Sequence, residues 1–150
     1  MTDLDKVMAV MEAAFDPHWR EAWTRRQVED SLALSSGFLI LMNETGCHPS
    51  SEEPAAGFVL ARRVLDEVEL LLIGVLPEKR GRGLGGKLLD EFLRRSAEYG
   101  AANVFLEVRA NNRAEKVYRA AGFAPVGRRK DYYRTLDGTK IDAVTFGKTL

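Results

Sequence analysis

The sequence has one cysteine, two histidines and no excess of either charge. A lone thiol, Cys47, excludes an intrachain disulfide framework. His48 stands beside it, but zinc needs three or four converging donors, so the pair reads as surface loop and no metal is expected. Lys and Arg number 22 against 22 Asp and Glu, which gives no support for nucleic-acid or membrane-surface binding by the chain as a whole. Long apolar runs are missing too. No stretch approaches the roughly 20 residues that a membrane-spanning helix requires. Asp3, Asp5 and Glu12 interrupt the segment where a secretory leader would lie. A cytoplasmic location is the expectation. Repeats and linkers are also lacking, so residues 1–150 read as one domain.

What is present is ordinary globular material, 45% apolar and 29% charged. Leu4, Val7, Met8, Met11 and Phe15 recur at helical spacing, and Asp16-Pro17-His18 breaks the pattern. Thr24-Arg25-Arg26-Gln27 fits a capping box for a second helix, with Val28, Leu32 and Leu34 inward and Gly37 at its end. Strands are expected at Phe38–Met42, Gly57–Arg63, Val68–Val75 and Val104–Val108. The Ser-, Glu- and Pro-rich stretch Asn43–Ala56 reads as a mobile hairpin loop. Leu84–Tyr99 carries Leu84, Leu88, Leu89, Phe92, Leu93 and Ser96 on one face, so it packs one side on a sheet, with Gly100 as its cap. A short helix near Arg113–Ala121 and two final strands, Ala124–Arg134 and Lys140–Lys148, complete a mixed α/β (α+β) domain around one central sheet.

The most informative segment is Val75-Leu76-Pro77-Glu78-Lys79-Arg80-Gly81-Arg82-Gly83-Leu84-Gly85-Gly86, between a strand and the long amphipathic helix. Its glycines let bare N–H groups approach a ligand, and the helix dipole makes that place favourable for a diphosphate. Arg80 and Arg82 would add charge-assisted hydrogen bonds at the rim. Gly81-x-Gly83-x-x-Gly86 matches dinucleotide spacing, but it follows a meander rather than opening a repeating βαβ unit. Gly86-Lys87-Leu88 lacks the hydroxyl of a nucleoside-triphosphate loop. A tight turn with no ligand is the bland alternative.

Arg80-Gly81-Arg82-Gly83-Leu84-Gly85 resembles the Arg/Gln-x-x-Gly-x-Gly/Ala signature of the GCN5-related N-acetyltransferase (GNAT) family. Further segments look like its RimI-type branch, the ribosomal-protein alanine N-acetyltransferases. They are Val64-Leu65-Asp66-Glu67, Leu106-Glu107-Val108-Arg109-Ala110, the run from Val117 to Phe123, Arg128-Arg129-Lys130-Asp131-Tyr132-Tyr133 and, early on, Trp23-Thr24. The resemblance implies acetyl-coenzyme A as co-substrate, with Gly81, Arg82, Gly83, Leu84, Gly85 and Gly86 on its pyrophosphate. It also implies Ile73, Gly74 and Val75 along the pantetheine. The chain begins directly at its first helix, so the family's customary first strand is expected to be missing.

Glu107 interrupts an apolar strand, which from composition alone favours a solvent-facing position over a working base. The resemblance assigns it the role of proton acceptor. Tyr118 reads equally as a core aromatic; the resemblance makes it the group that protonates the departing sulfur. Spacing leaves the cofactor-contacting Asn at Asn111 or Asn112, with Asn111 preferred and Asn112 as helix cap. The implied acceptor is the α-amine of a protein such as a small-subunit ribosomal protein, walled by Trp19, Trp23 and Tyr132-Tyr133. Either Trp could instead be core, and Arg128, Arg129, Lys130 and Arg134 could be a solvated edge. A lysine or small-amine acetyltransferase and a non-catalytic coenzyme-binding module remain as alternatives. Either a monomer or a weak homodimer is expected.

Overall fold

Thr2 starts the first element. Its hydroxyl accepts from the Asp5 N–H at 3.1 Å while the Asp5 carboxylate accepts from the Thr2 N–H at 2.9 Å. This reciprocal cap satisfies two helix-end donors and fixes α1 at Asp3–Ala14 in the computed structural model, which describes residues 1–150. Thr24 and Gln27 repeat the device, at 3.2 and 2.8 Å, to open α2 at Arg25–Ala33. The expected end of α2 needs correction. Leu34 is 64% exposed, and Gly37 belongs to the next strand. A Cβ at Gly37 would stand 2.2 Å from the Ser31 carbonyl oxygen, so glycine is required because α2 ends against the strand.

The strands are β1 Gly37–Met42, β2 Gly57–Val64, β3 Glu67–Val75, β4 Asn103–Arg109, β5 Ala124–Arg134 and β6 Lys140–Thr149. The remaining helices are α3 Leu84–Glu98 and α4 Glu115–Ala120. The strands form one sheet in the order β1-β2-β3-β4-β6-β5. Only β3 and β4 run parallel, because α3 carries the chain back between them. β1 forms one outer edge of the sheet and β5 the other. Gly100 closes α3: its N–H reaches the Ala97 carbonyl and the Ala101 N–H reaches that of Ser96, the pair of bonds expected of a left-handed cap. No helix is long and apolar enough to cross a membrane.

Both sheet faces are covered. Leu84, Leu88, Leu89 and Phe92 of α3 pack with Val104, Leu106, Tyr118 and Phe146 on one face. Val7, Val10, Met11 and Val28 pack with Phe58, Leu60 and Leu72 on the other. β3 changes its allegiance midway. Val68 and Leu70 face the α3 side, then Leu71 and Leu72 both face the α1 side, and Ile73 and Val75 return to α3. One extra residue at Leu71 causes this, since Leu60 pairs with Leu72 while Ala61 pairs with Leu70. Such a bulge bends its strand.

One segment departs from expectation, and β5 takes the solvated-edge alternative left open for it. Residues 43–56 are folded upon themselves rather than loose. The Asn43 side chain accepts from the Thr45 and Cys47 N–H groups at 3.0 Å each and donates to Glu53 at 3.1 Å. Lys6, only 2% exposed, ties this loop to α1 by donating from Nζ to the Ser50 carbonyl at 2.6 Å. β5 is exposed along nearly its whole length, so its basic run is a solvated edge. Its register slips around Lys130–Tyr132, where Asp142 accepts from the Asp131 N–H at 2.9 Å and from Arg128 at 2.7 Å.

Candidate active site

The parallel pairing of β3 with β4 stops at Leu70 opposite Leu106. Beyond it the two strands part, and a cleft of ≈ 730 Å³ lies between Leu70–Val75, the glycine turn, the end of β4 and α4. The bulge at Leu71 supplies the bend that separates them. One edge of β3, past Leu70, therefore has no strand partner, and Ile73, Gly74 and Val75 line the cleft there.

At the floor of this cleft the turn opens α3 without a side-chain cap. From Gly81 to Gly86, six consecutive main-chain N–H groups donate to no protein acceptor; the first helical bond is Lys87 N–H to Gly83 oxygen at 3.1 Å. Gly81 and Gly83 take φ of +77° and +79°, and a Cβ on either would meet nothing within 4 Å. An open row of unpaired amides at a helix entrance is what a bound anion needs. Arg80 does not add to that rim as expected. Its Nε donates to the Val75 carbonyl at 3.2 Å and its Nη2 to that of Ala14 at 2.8 Å, so it locks the turn onto the end of α1. Arg82 is exposed, stands outside the cleft lining, and its charge helps lower the Glu44 carboxyl after the larger effect of Lys79.

Glu107 and Tyr118 sit at the far end. Glu107 lines the cleft, yet its Oε1 is shut from solvent and accepts no hydrogen bond. Arg129 Nε lies 3.9 Å away, too far to serve as donor. Tyr118, 5% exposed, packs its ring between Phe123 and Phe146, and its hydroxyl bonds to nothing in the protein. Burial first, then the charges of Glu21 and Tyr133, push its phenol well above the usual range, so it stays protonated. Burial, followed by Glu107 and Glu21, likewise pushes Tyr133 up to about 12.

Glu21 and Arg109 were not singled out by sequence. Arg109 Nε donates to Glu21 at 3.1 Å, and the guanidinium lies 3.8 Å from the centre of the Trp19 ring. Desolvation raises the Glu21 carboxyl above its ordinary range against the opposing pull of Arg109. A signal for Arg109 was available: it stands two residues from Glu107, on the same face of β4. Glu21 lies in a turn between two helices, where no periodicity marks it.

Most of the expected site converges here. Ile73, Gly74, Val75, Arg80, Gly81, Gly83, Leu84, Gly85, Gly86, Glu107, Asn111 and Tyr118 all line the cleft, and so does Trp19. Asn112 lines it too and accepts from the Ala114 N–H at 2.9 Å, a local turn ahead of α4 rather than the expected cap, because Ala114 itself is the N-cap; Asn111 takes a left-handed φ of +69° and leaves its side chain unbonded. Trp23 does not join them. It packs against the α1–α2 core and borders a separate groove with Leu34 and Leu71. Tyr132 and Tyr133 stand outside the cleft lining, although Tyr133 feels the charges of Glu107 and Glu21.

The profile described as Acetyltransferase (GNAT) family matches residues 4–123, and the chain belongs to that family. Within it, the chain is 39% identical over 88 residues to the [Ribosomal protein bS18]-alanine N-acetyltransferase of Haemophilus influenzae. That match covers 59% of this chain and 60% of the relative. The Escherichia coli protein of the same name is 39% identical over 90 residues, again 59% of this chain and 60% of the relative. Thus the match spans about three fifths of the length of these relatives. The crystal structure of the ribosomal-protein alanine N-acetyltransferase from Escherichia coli superposes with a TM-score of 0.83 at 27% identity, covering 99% of this chain and 88% of that one. Arabidopsis thaliana NAA60, solved in complex with acetyl-CoA, shares the fold with a TM-score of 0.80 at 21% identity, over 99% of this chain and 93% of that one.

Proposed function

We propose that residues 1–150 form one acetyltransferase domain that moves the acetyl group of acetyl-coenzyme A to the amino-terminal α-amine of a protein, with alanine as its first residue. One observation carries the reading. Two sets of unpaired main-chain groups, the six amides of 81–86 and the free edge of β3, line one cleft together with the Glu107 carboxylate. These groups fit an anionic head with an amide-bearing arm, and the Glu107 carboxylate, 23% exposed, fits an arriving ammonium. The names of the similar proteins support a ribosomal protein as the acceptor.

Each residue then has a task. Amides 81–86 and Arg82 bind the diphosphate, while Ile73, Gly74 and Val75 hold the arm by main-chain bonds, with Asn111 at its side. A β3 N–H faces the carbonyl oxygen on which charge develops, a fixed donor that needs no reorganisation. Glu107 takes the proton from the amine, directly or through water. An α-amine has a pKa near 8, about two units below lysine, so a carboxylate base suffices. Tyr118 offers its proton to the departing sulfur. A thiol near 8.5 is the stronger acid, so the phenol acts mainly as a hydrogen-bond donor as charge builds there.

The test is coenzyme A release with two peptides. One begins with free Ala and contains no Lys; the other has a blocked terminus and one Lys. Turnover of the first alone is expected. Turnover of the second alone would reassign the acceptor to lysine, and turnover of neither, with acetyl-coenzyme A bound, would leave a binding module.

A further inference from the structure

The acceptor end of the cleft holds a cation where a cationic substrate must arrive. Arg109 lies two residues from Glu107 on one strand face, about 7 Å along the backbone. A free guanidinium there would compete with an ammonium for the Glu107 carboxylate and repel it besides. Glu107 is already faced by Arg129 and Tyr133 of β5, with Tyr118 of α4 across the cleft. Glu21 is faced by Arg109, Tyr118 and Tyr133, while Asp16 and Arg80 line the cleft beyond them.

Two contacts prevent that competition. Glu21 accepts from Arg109 Nε at 3.1 Å, and both side chains are largely enclosed, 20% and 15% exposed. The guanidinium carbon lies over the Trp19 ring, 3.8 Å from its centre, and cation–π attraction is strongest when the cation is desolvated. Trp19 and Glu21 come from one short turn, so a single backbone segment supplies both restraints.

Building on the acetyl-transfer reading, we propose that Glu21 is a positioning residue: it neutralises Arg109 and pins it on Trp19, so that no second guanidinium besides Arg129 competes with the incoming ammonium for the Glu107 carboxylate. Its carboxyl, raised by burial, gives up its charge earlier than usual as pH falls. Binding of an amino-terminal peptide should therefore weaken in mild acid, as Arg109 is released.

Two measurements test this. The first is peptide affinity by calorimetry, using a peptide with a free amino-terminal Ala and acetyl-blocked lysines. Glu21→Gln is expected to weaken it about tenfold, the weight of one charge-assisted hydrogen bond. Adding Arg109→Gln should restore most of the loss and lessen the acid sensitivity; a pair that merely stiffens the fold would give no such rescue. Equal affinity in Glu21→Gln and the parent, or a double variant as weak as the single one, overturns the proposal. The second needs no acetyl transfer. In a Trp23→Phe background, Glu21→Gln should make Trp19 fluorescence more open to acrylamide quenching, because its guanidinium cover is lost. Unchanged quenching also overturns it. Increased quenching in a protein that acetylates neither peptide would retain the Glu21–Arg109 restraint and sink the acetyl-transfer reading instead.

Discussion

Leu70 is the last residue of β3 to pair with β4, opposite Leu106, and the next residue is the bulge. The cleft is thus a consequence of one extra residue in a strand. By bending β3 away from β4, Leu71 exposes main-chain groups that would otherwise complete the sheet. It also turns Ile73 and Val75 toward α3, so the free edge runs straight into the glycine turn.

The turn offers the most direct check. Gly83 has φ of +79° with open space where a side chain would project. Asn tolerates that conformation, and Asp does so at similar cost. Gly83→Asn should therefore fold and bind coenzyme A within about tenfold of the parent, a loss of order 1 kcal/mol. Gly83→Asp should fold as well but lose measurable binding, since its charge opposes the diphosphate and the dipole. Calorimetry with coenzyme A reads both. Equal binding by the two variants would take the phosphates away from this turn.

Glu107→Gln keeps the shape of the side chain and removes its basicity. Coenzyme A affinity is expected to hold, and kcat to fall by about 10²-fold or more. The pH–rate profile should also move upward, toward the amine's own deprotonation near pH 8. An unaltered profile would exclude Glu107 from the proton transfer.

Much of this arrangement was legible beforehand, and the illegible parts have physical reasons. The capping box at Thr24 and the glycine turn are local patterns, so sequence spacing reveals them. Leu34 was misplaced because helical periodicity carries no sign of where a helix stops; the approach of Ser31 to Gly37 decides that in three dimensions. The bulge at Leu71 was invisible, since Leu70, Leu71 and Leu72 are the same residue type. Trp23 matched a pattern yet joined the core, and Glu21 matched none yet reached the cleft.

Tyr118 separates packing from chemistry. Its ring contacts Phe123 and Phe146, with centroids 6.3 and 6.2 Å away, but its hydroxyl has no protein partner. Tyr118→Phe should therefore leave Tm within about 2 °C, because packing is kept and no hydrogen bond is lost. The single-turnover rate at pH 7 should fall about tenfold or more, without change in coenzyme A affinity. A normal rate would leave Tyr118 as a core aromatic only.

Lys6 poses the opposite case, a buried charge far from the cleft. Its ammonium meets one carbonyl, Ser50, and Glu53 gains from its charge. Burying a cation for a single acceptor is costly, and an apolar chain of similar length avoids that cost. Lys6→Met should therefore match or exceed the parent in Tm. The same change removes the tether between α1 and the 43–56 loop, so hydrogen exchange near Ser50–Glu53 and proteolytic cleavage in the loop should accelerate. The two readouts are expected to move apart, since global stability comes from the cores while loop order comes from this bond. If Tm fell by several degrees while loop exchange stayed slow, Lys6 would instead be part of the α1 packing, with the Ser50 contact incidental.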